Sequence, residues 1–599
     1  MITAPRYAVN QYPVSVILAW VEAGTVAIPE IQRPFLWTAT KVRNLLDSLY
    51  RGYPIGYLIT WQNPDVKLKD GTTSFGKRML IDGQQRVTAL MAAVQGKKVV
   101  NQDYQHVRIR IAFQPITREF EVANSAIDKD PAWISDVAQV FNPLTDLFSL
   151  SEEYSQRNPA VAMKDVHAGL SQLQAIVANP IGIIDLAEDL DIETVTEIFV
   201  RVNASGVPLS QADFAMSKIA VNEEHDGDTI RKAIDYFCHL AVAPAYYTAI
   251  ETNDPAFTQS HYWPAMQWLK KENDDLYDPS YTDMLRVALM VEFSRGQLKD
   301  LVSLLSGRNT ETKQYEEAII EDSFQHLSTG IYKFMNETSF KNLIMTIRSA
   351  GFVDASMVTS QNTLDFAYGL FLTLQDMGLP KGLIQKHVAK WFVMSLLTGR
   401  YSGSTESTID RDIRQIREHG IVEYAQEIYR SELSEGFWEA GLVQALDTSS
   451  SSSPLFRVFE AAQVKMGDKG FLSQDLTVSA LIAIKSDVHH IFPKEFLKSK
   501  GFPRTKYNQI ANYVVTQSEI NIAIGKKEPR VYFAELREQC NGGPLRYGTI
   551  SDAATLAANL RAHCIPESIA EMTIRDYESF LQQRRVLMAR KMRAYFESL

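Results

Sequence analysis

The sequence predicts a multidomain α+β protein in three parts: a mixed α/β region over residues 1–220, a helical region over residues 221–447 and a C-terminal domain over residues 455–599. Three observations support this division. A chain of 599 residues exceeds the roughly 250–300 residues at which a single hydrophobic core stops growing. The polar run TSSSSSP at 448–454 offers nothing that could pack. The hydrophobic pattern also changes to a helical period after the first region.

Short β-rich runs alternate with helical ones in the first region, which is typical of a mixed α/β domain. The runs YPIGYLITW and HVRIRIAF carry the β-branched and aromatic residues of strands, whereas VRNLLDSLY and VTALMAAV have helical spacing. Downstream segments such as GLIQKHVAKWFVMSLLTGRY keep the helical period. No repeat of fixed period occurs along the sequence, which argues against a solenoid or a propeller.

The composition is that of an ordinary globular protein, with 45% hydrophobic and 22% charged residues. Three cysteines, Cys238, Cys540 and Cys564, lack CxxC spacing, which argues against a disulfide framework and a zinc knuckle. No apolar run reaches the ~18–20 residues of a membrane span, and the N-terminal sequence lacks the layout of a signal peptide. We therefore expect a cytoplasmic protein without a membrane partner.

Charge is distributed unevenly along the chain. The whole sequence has a formal net charge of −10, but residues 455–599 contain 21 lysine and arginine residues against 15 aspartate and glutamate residues, a net charge of +6. The C-terminal domain alone is therefore suited to a polyanion such as DNA. The alternative is that this excess belongs to an ordinary solvated surface.

The last segment, TIRDYESFLQQRRVLMARKMRAYFESL, predicts a long amphipathic helix. Its apolar positions, which should face inward, are Tyr577, Phe580, Leu581, Met588 and Tyr595. The other face is basic and carries Arg584, Arg585, Arg590, Lys591 and Arg593. These side chains could follow a DNA backbone or simply form an exposed helix face.

Three polar motifs stand out in the first region: IPEIQRPFLW at 28–37, LIDGQQR at 80–86 and FVRVNASG at 199–206. In the second, a strand runs through an Asp-Gly turn into a helix, so Gln84, Gln85 and Arg86 lie at a helix N-terminus, where free N–H groups bind anions. Asp82 at the strand end could hold a cation or a sugar hydroxyl, and Asn203 lies in a polar turn. Together they predict a nucleotide pocket; the alternative is a capped helix and two structural turns.

A second constellation lies in the C-terminal domain, where DVHHIFP follows the run VSALIAI, whose composition predicts a strand. Neighbouring residues of a strand face opposite ways, so one histidine can face a metal and the other a substrate phosphate. Asn521, in SEINIAIGKK, could complete a metal site with His489, and Lys526 and Lys527 could hold backbone phosphates. Paired histidines by themselves are more often packing or surface residues.

The ordered set DVHHIFP, NYVVTQ and EINIAIGKKEP resembles the ββα-metal motif of HNH nucleases. The resemblance implies that His490 is the general base and that His489 and Asn521 are metal ligands. It also assigns Asn512 to the catalytic motif as the central asparagine that braces the loop. Many HNH enzymes carry aspartate where His489 stands, so the metal stays open between Mg²⁺ and Mn²⁺, with Ni²⁺ and Zn²⁺ also admitted by a nitrogen ligand.

The motifs IPEIQRPFLW, IDGQQRVTAL and IFVRVNASGVPLS resemble the ParB/sulfiredoxin-like N-terminal domain of GmrSD-type enzymes, over roughly residues 10–220. The segment KWFVMSLLTGRYSGSTESTIDRDI resembles the same family. The resemblance implies type IV restriction, with NTP (GTP or ATP) bound by the N-terminal domain and a nuclease under its control. The nucleotide-site residues that it implies are Arg33, Asp82, Gln84, Gln85, Arg86 and Asn203.

We therefore expect a nucleotide-regulated, metal-dependent endonuclease that cuts double-stranded DNA, including modified phage DNA, in anti-phage defence. One alternative is a DNA-binding sensor of modification with weak nuclease activity, and another is a protein that needs a partner subunit for targeting. The sequence leaves open the modification, the nucleotide and the oligomeric state. A monomer should nick DNA, whereas a symmetric homodimer could break both strands.

Overall fold

The chain forms two units in a computed structural model. The structure describes residues 6–27, 35, 37–62, 78–100, 106–187, 190, 194–195, 198, 210–222, 224–271, 276–309, 312, 314–486 and 488–599. The first unit comprises Met1–Glu272 with Leu298–Gln325, and the second comprises Asn273–Gln297 with His326–Leu599. The Ser-rich run at 448–454 lies inside the second unit, and the division into three domains stays a prediction.

The described strands of the first unit are β1 (Tyr7–Pro13), β2 (Val26–Ala27), β3 (Leu58–Gln62), β4 (Arg78–Asp82), β5 (Val99–Val100), β6 (His106–Val107), β7 (Ile111–Gln114), β8 (Glu119–Val122) and β9 (Pro180–Leu186). Five of them form one sheet, in the order β1-β9-β3-β4-β2. Strands β1 and β9 are antiparallel, β9 and β3 parallel, β3 and β4 antiparallel, and β4 and β2 parallel. The four shorter strands form two antiparallel pairs, β5 with β6 and β7 with β8.

The helices of the first unit up to residue 175 pack their apolar faces into one core with the sheet. The helix Ala39–Tyr50 shows why: Val42, Leu45, Leu46 and Leu49 recur at helical spacing and are all buried. The helices are Val14–Glu22, Ala39–Tyr50, Gln84–Val94, Ala138–Phe141, Leu147–Arg157, Met163–Ala175, Gln211–Val221, Gly227–Val242, Tyr247–Asn253, Tyr262–Met266 and Leu298–Leu305. The α/β character predicted for residues 1–220 is confirmed.

The second unit is mostly helical and contains one two-stranded hairpin, β10 (Val488–His490) with β11 (Tyr513–Val515). Its helices are Tyr281–Phe293, Glu337–Ser349, Gln361–Asp376, Lys381–Thr398, Thr405–His419, Ile421–Glu432, Leu442–Ala445, Pro454–Lys465, Val478–Ala483, Lys494–Ser499, Arg504–Tyr507, Ser518–Ile524, Pro529–Cys540, Ala553–Ala562 and Tyr577–Ser598. The remaining helix, Glu317–Phe334, has residues in both units.

The prediction that the run VSALIAI forms a strand is wrong, because Val478–Ala483 form a helix. Thr477 caps that helix, its hydroxyl oxygen accepting a hydrogen bond from the backbone N–H of Ala480 at 3.1 Å. Val478 and Leu481 are buried three positions apart, on one helical face. A side-chain cap and a buried face therefore outweigh the β-branched composition.

The terminal helix Tyr577–Ser598 buries the apolar positions that the pattern predicts, and of its predicted basic face only Arg590 is exposed. Arg584 is 0% exposed and donates to the carbonyl of Tyr513 at 2.7 Å. Arg585 is 7% exposed and pairs with Asp447. Lys591 pairs with Asp468, and Arg593 with Glu435. Four of the five basic side chains of this face therefore have partners within the second unit.

The three cysteines are reduced thiols, as their spacing predicts. Among the helices that the structure describes, none combines the length and the apolar character that crossing a bilayer requires.

Candidate active site

The β10–β11 hairpin presents the two neighbouring histidines. In its antiparallel register His489 lies opposite Val514 and His490 opposite Tyr513. Because consecutive strand residues face opposite sides, the two imidazoles enter different surroundings. Their partners differ accordingly, which gives each ring a role of its own.

His489 faces the interior and meets the helix Ser518–Ile524. Its Nδ1 lies 2.5 Å from Oδ1 of Asn521, and the residue is 3% exposed. Burial lowers the pKa of His489 to about 4. Nε2 is buried and has no hydrogen-bond partner among the described residues. The ring is therefore neutral near pH 7 and presents a nitrogen ligand beside an amide oxygen. Divalent metals bind to this combination of ligand atoms.

His490 lies on the opposite face, where its Nε2 is 3.0 Å from Oδ1 of Asn508. The ring also packs edge-on against Tyr513, with centroids 4.9 Å apart. Burial lowers the pKa of His490 below its ordinary value. Since Nε2–H donates to Asn508, the lone pair of this neutral ring is on Nδ1. That tautomer leaves a nitrogen able to accept a proton.

Asn512 holds the chain that follows β10. It is 0% exposed, and its Oδ1 accepts from the N–H of Phe492 at 2.8 Å while its Nδ2 donates to the carbonyl of Phe492 at 3.0 Å. Its own carbonyl accepts from the N–H of Ile491 at 2.8 Å. A fully buried side chain bonded only to backbone acts by positioning the segment after His490. The structure thus gives Asn512 a bracing position.

The two lysines after the helix Ser518–Ile524 differ in their surroundings. Lys527 pairs with Glu535 at 2.8 Å and donates to the hydroxyl of Tyr547 at 2.5 Å. These partners raise the pKa of Lys527. Lys526 is exposed. The charge of Lys527 is therefore already balanced, and Lys526 is the better placed of the two for a phosphate.

His489 and Asn521 fit a divalent ion as a pair of ligands. Bonds of about 2.0–2.2 Å to each would require their two atoms, now 2.5 Å apart, to separate to roughly 3 Å. A metal on Nδ1 places the ring proton on Nε2, which is buried and has no hydrogen-bond partner among the described residues. The described residues contain no group of three or more His, Cys, Asp or Glu side chains that could hold a metal. Asp487 lies outside the described residues.

The LIDGQQR motif lies where β4 ends and the helix Gln84–Val94 begins. Between them Gly83 has φ +94°, and a Cβ there would approach Cδ2 of Leu58 to 2.2 Å. Asp82 and Arg86 pair across the turn, with Oδ2 and a guanidinium nitrogen 2.8 Å apart. Arg86 also donates to the carbonyl of Ile55 at 3.0 Å. The turn thus fixes a carboxylate and a guanidinium side by side at the strand end.

Gln84 is 6% exposed, and its amide donates to the carbonyl of Leu80 at 2.8 Å. This contact ties the helix back to β4, so Gln84 supports the turn. Gln85 occupies the next position of the helix. Arg33 and Asn203, the other two nucleotide-site candidates, lie outside the described residues.

A cavity of about 370 Å³ opens beside this turn, lined by Gln11, Leu49 and residues 52–57 and 179–182. Ile55, whose carbonyl holds Arg86, belongs to its wall, and a Cβ on Gly56 would meet the Arg86 guanidinium at 2.5 Å. None of the sequence motifs predicted this cavity. The loop RGYPIG at 51–56, with two glycines around a proline, was the available signal.

Comparison with known proteins supports part of the resemblance. Residues 17–220 match the family described as GmrSD restriction endonuclease, N-terminal domain, which confirms the predicted resemblance of this region to GmrSD-type enzymes. An uncharacterized protein of Methanocaldococcus jannaschii is 23% identical over 600 residues, covering 92% of this chain and 90% of that protein. The resemblance of the C-terminal domain to HNH nucleases stays a prediction.

Proposed function

We propose that this chain is a metal-dependent endonuclease that hydrolyses phosphodiester bonds in DNA as part of a restriction-type defence. One observation carries the proposal: two adjacent histidines at the end of β10 are each held by a different asparagine, His489 by Asn521 and His490 by Asn508. The match of residues 17–220 to a restriction endonuclease domain supports a nuclease and DNA as its substrate.

In this function His490 is the general base. Its Nε2–H donates to Asn508, which sets the tautomer and the ring orientation, and Nδ1 takes the proton of the attacking water. A lowered pKa keeps the ring neutral near pH 7, in the form that accepts a proton. Asn512 fixes the backbone of Phe492, and so the position of the strand end that carries His490.

His489 and Asn521 would hold the divalent ion, Mg²⁺ or Mn²⁺. When bound, the ion stabilises the negative charge that develops on the phosphate and on the leaving oxygen. The neutral ring of His489 suits this role, because a protonated imidazole cannot ligate a metal. Lys526 contacts a neighbouring backbone phosphate, and Lys527, paired with Glu535, contributes less.

The cavity lined by residues 52–57 and 179–182 binds the nucleotide, GTP or ATP, that controls cleavage. Asp82 and Arg86 form a fixed polar pair behind its wall, where Arg86 bonds to Ile55, with Gln85 in the first turn of the adjacent helix and Gln84 supporting the turn from inside. Arg33 and Asn203 complete the set that the resemblance implies. The preferred substrate is modified phage DNA, since control by a nucleotide and by a modification would protect the host chromosome.

The experiment compares wild type, His490→Ala and His419→Ala on plasmid and modified phage DNA, with Mg²⁺ or Mn²⁺ and with or without GTP or ATP. His419 is a matched control, because it is a histidine of the second unit with 47% of its side chain exposed. We expect metal-dependent cleavage by wild type and by His419→Ala, and none by a folded His490→Ala. Full activity of His490→Ala would exclude His490 as the base, and an inactive wild type would favour the DNA-binding sensor.

A further inference from the structure

A second cavity, of about 590 Å³, lies within the second unit against the outer end of the β10–β11 hairpin. We call it the hairpin cavity. Its polar wall contains Arg348, Asp354, Arg457, Glu460 and Lys485. Its volume is within the range of roughly 300–1,000 Å³ that is usual for small-molecule sites. It lies outside the residues that the proposed cleavage uses.

The charged side chains of the hairpin cavity leave a positive excess. Arg457 and Glu460 form a buried pair, with a guanidinium nitrogen 2.7 Å from Oε2. Asp354 is engaged locally, because its carboxylate accepts from the N–H of Ser356 at 2.9 Å. Arg348 and Lys485 add two further cations, so the five groups carry a net charge of +1 when all are ionised. Such a wall favours an anion over a metal cation.

Arg457 has bonding capacity beyond its partner. Its Nε is buried and has no hydrogen-bond partner among the described residues, although the guanidinium holds Glu460. A guanidinium presents five N–H donors in a planar fork, which suits the oxygens of a phosphate. Because Arg457 lines the cavity, a ligand oxygen there can accept from the part of the fork that Glu460 does not use.

Lys485 is held in an uncommon conformation at the rim of this cavity. It follows the helix Val478–Ala483 with φ +52°, in the left-handed region that side chains other than glycine and asparagine rarely adopt. The backbone there is fixed by bonds from Lys485 N–H to the carbonyl of Ile482 and from Ser486 N–H to that of Leu481. Glycine or asparagine is more usual at such a position, and the fixed backbone holds Lys485 beside the cavity.

The apolar residues that line the hairpin cavity include the cross-strand pair Val488 and Val515. Ile482 and Val353 also line it. A surface of this kind accepts a planar ring, such as a nucleobase, by apolar contact. Val488 begins the strand that ends in His490, so a ligand here would bear on the element that positions the catalytic histidine.

We propose that the hairpin cavity binds a phosphate ester that carries a base, of the size of a nucleoside monophosphate. Arg348, Arg457 and Lys485 receive the phosphate, and Val488 and Val515 receive the base. The phosphate ester is a free nucleotide or part of the DNA chain, and both sources present the same chemistry. This site is separate from the nucleotide site proposed beside Asp82 and Arg86.

The test uses the full chain with Arg86→Gln as the background, which removes the N-terminal site from the measurement. Binding of AMP and of a short DNA duplex is measured by calorimetry for this background and for Lys485→Asn and Lys381→Asn built on it. Asparagine suits the left-handed backbone, so Lys485→Asn removes the charge without unfolding the chain. Lys381→Asn removes the same charge from an exposed helix position of the second unit, outside the cavity.

We expect Lys485→Asn to weaken binding by about tenfold and Lys381→Asn to leave it unchanged, since a charge-assisted contact to phosphate is lost in only one of them. Hydrogen exchange should also slow at residues 488–490 and 513–515 when the ligand is present. An effect confined to AMP assigns a free nucleotide, and an effect confined to the duplex assigns the DNA chain. Binding that Lys485→Asn does not change, or no binding of either probe, would overturn the proposal, whatever the outcome for cleavage.

Discussion

The rings of His489 and His490 are adjacent in sequence but are oriented by asparagines from different segments. Asn521 lies on the helix Ser518–Ile524, whereas Asn508 follows the short helix Arg504–Tyr507. Each amide oxygen meets one nitrogen of its ring, and at His490 this contact sets the tautomer. The separation of a metal ligand from a base within one dipeptide thus depends on these two amides.

Asn508→Ala should impair cleavage without unfolding the protein. Loss of the acceptor for Nε2–H leaves the His490 ring free to rotate, and removal of such orienting partners commonly lowers activity by about 10–100-fold. We expect the loss in kcat, with KM and Tm little changed, in a plasmid cleavage assay. Asn508→Asp keeps an acceptor and should recover most of the rate. Asn541→Ala, at an exposed asparagine, is the control, and an Asn508→Ala enzyme with wild-type kcat would refute the orienting role.

His563 should make the second unit sensitive to acid. It is fully buried between Gln463 and the carbonyl of Lys469, and burial lowers its pKa from 6.5 to about 3. Its contribution to stability is complete above pH 6.5 and is lost as the pH falls towards 3, because the unfolded chain takes up the proton first.

At pH 5 the free energy of unfolding should be about 2 kcal/mol lower than at pH 7, because pH 5 lies about 1.5 units below the ordinary pKa of histidine. His563→Gln cannot titrate, so its deficit relative to wild type at pH 7 should shrink by that amount at pH 5 in urea unfolding. His419→Gln, at an exposed histidine, should follow wild type at both pH values. A constant deficit of His563→Gln would mean that His563 titrates normally.

At this scale the sequence predicted that His489 and Asn521 lie together, but not the other contacts of these residues. The order of His489, His490, Asn512 and Asn521 follows from the motif. The pairing of Lys527 with Glu535 and the inward turn of Gln84 depend on packing that no local pattern encodes. Asn508 was visible as an asparagine, but only the fold brings it to His490.

Among the elements, the segment that follows β10 depends on one buried side chain. Asn512→Ala leaves the N–H and the carbonyl of Phe492 without their partners, and each unsatisfied buried group costs about 1–3 kcal/mol. We expect a loss of roughly 2–5 kcal/mol in urea unfolding, together with loss of cleavage. Asn512→Asp keeps the acceptor but not the donor and should also be destabilised. A stable, active Asn512→Ala would contradict the bracing position.

The turn between β4 and the helix Gln84–Val94 should tolerate no side chain at Gly83. Gly83→Ala combines a strained φ of +94° with a contact of 2.2 Å to Leu58, whereas Gly24→Ala at φ +71° meets nothing within 4 Å. Gly24→Ala should cost about 1–2 kcal/mol from strain alone, and Gly83→Ala clearly more. Shortening Leu58 to alanine in the Gly83→Ala background removes this contact. The truncation should therefore cost less stability there than in the wild-type protein. Equal effects of the two glycine substitutions on Tm would argue against the steric term.

Elements whose signals are local were predicted well, and those decided by packing were not. Gly83 and the helix after it follow from a strand, an Asp-Gly turn and an apolar helical run in sequence order. The run VSALIAI has β-branched residues at both ends, yet its position after Thr477 makes it a helix. Short apolar runs carry too little periodicity to separate the two outcomes.

At the scale of the whole molecule, the charge of the C-terminal domain is partly structural. Arg584 reaches the carbonyl of Tyr513 in β11, so the terminal helix braces the hairpin that carries the histidines. Burial lowers the pKa of Arg584 to about 10, and the group stays charged near pH 7. A net charge of +6 over residues 455–599 therefore overstates what the surface offers to DNA.

Whether one DNA strand or both are cut should show how many protein chains act together. The sequence contains one pair of adjacent histidines, so a single chain has one candidate active site and should nick a supercoiled plasmid to the open circle. Linear plasmid should appear only later, where independent nicks fall opposite one another. Mixing wild type with His490→Ala should then lower the cleavage rate in proportion to the wild-type fraction, without changing the products.

A symmetric dimer makes the opposite prediction. Linear plasmid would form at the earliest times, and mixing with His490→Ala would convert it to open circle, because mixed dimers keep one working site. Sedimentation of the same samples gives the mass of the active species. Early linear product from a species of 67.6 kDa, the mass of one chain, would show that one chain cuts both strands and would refute the assignment of a single cleavage site.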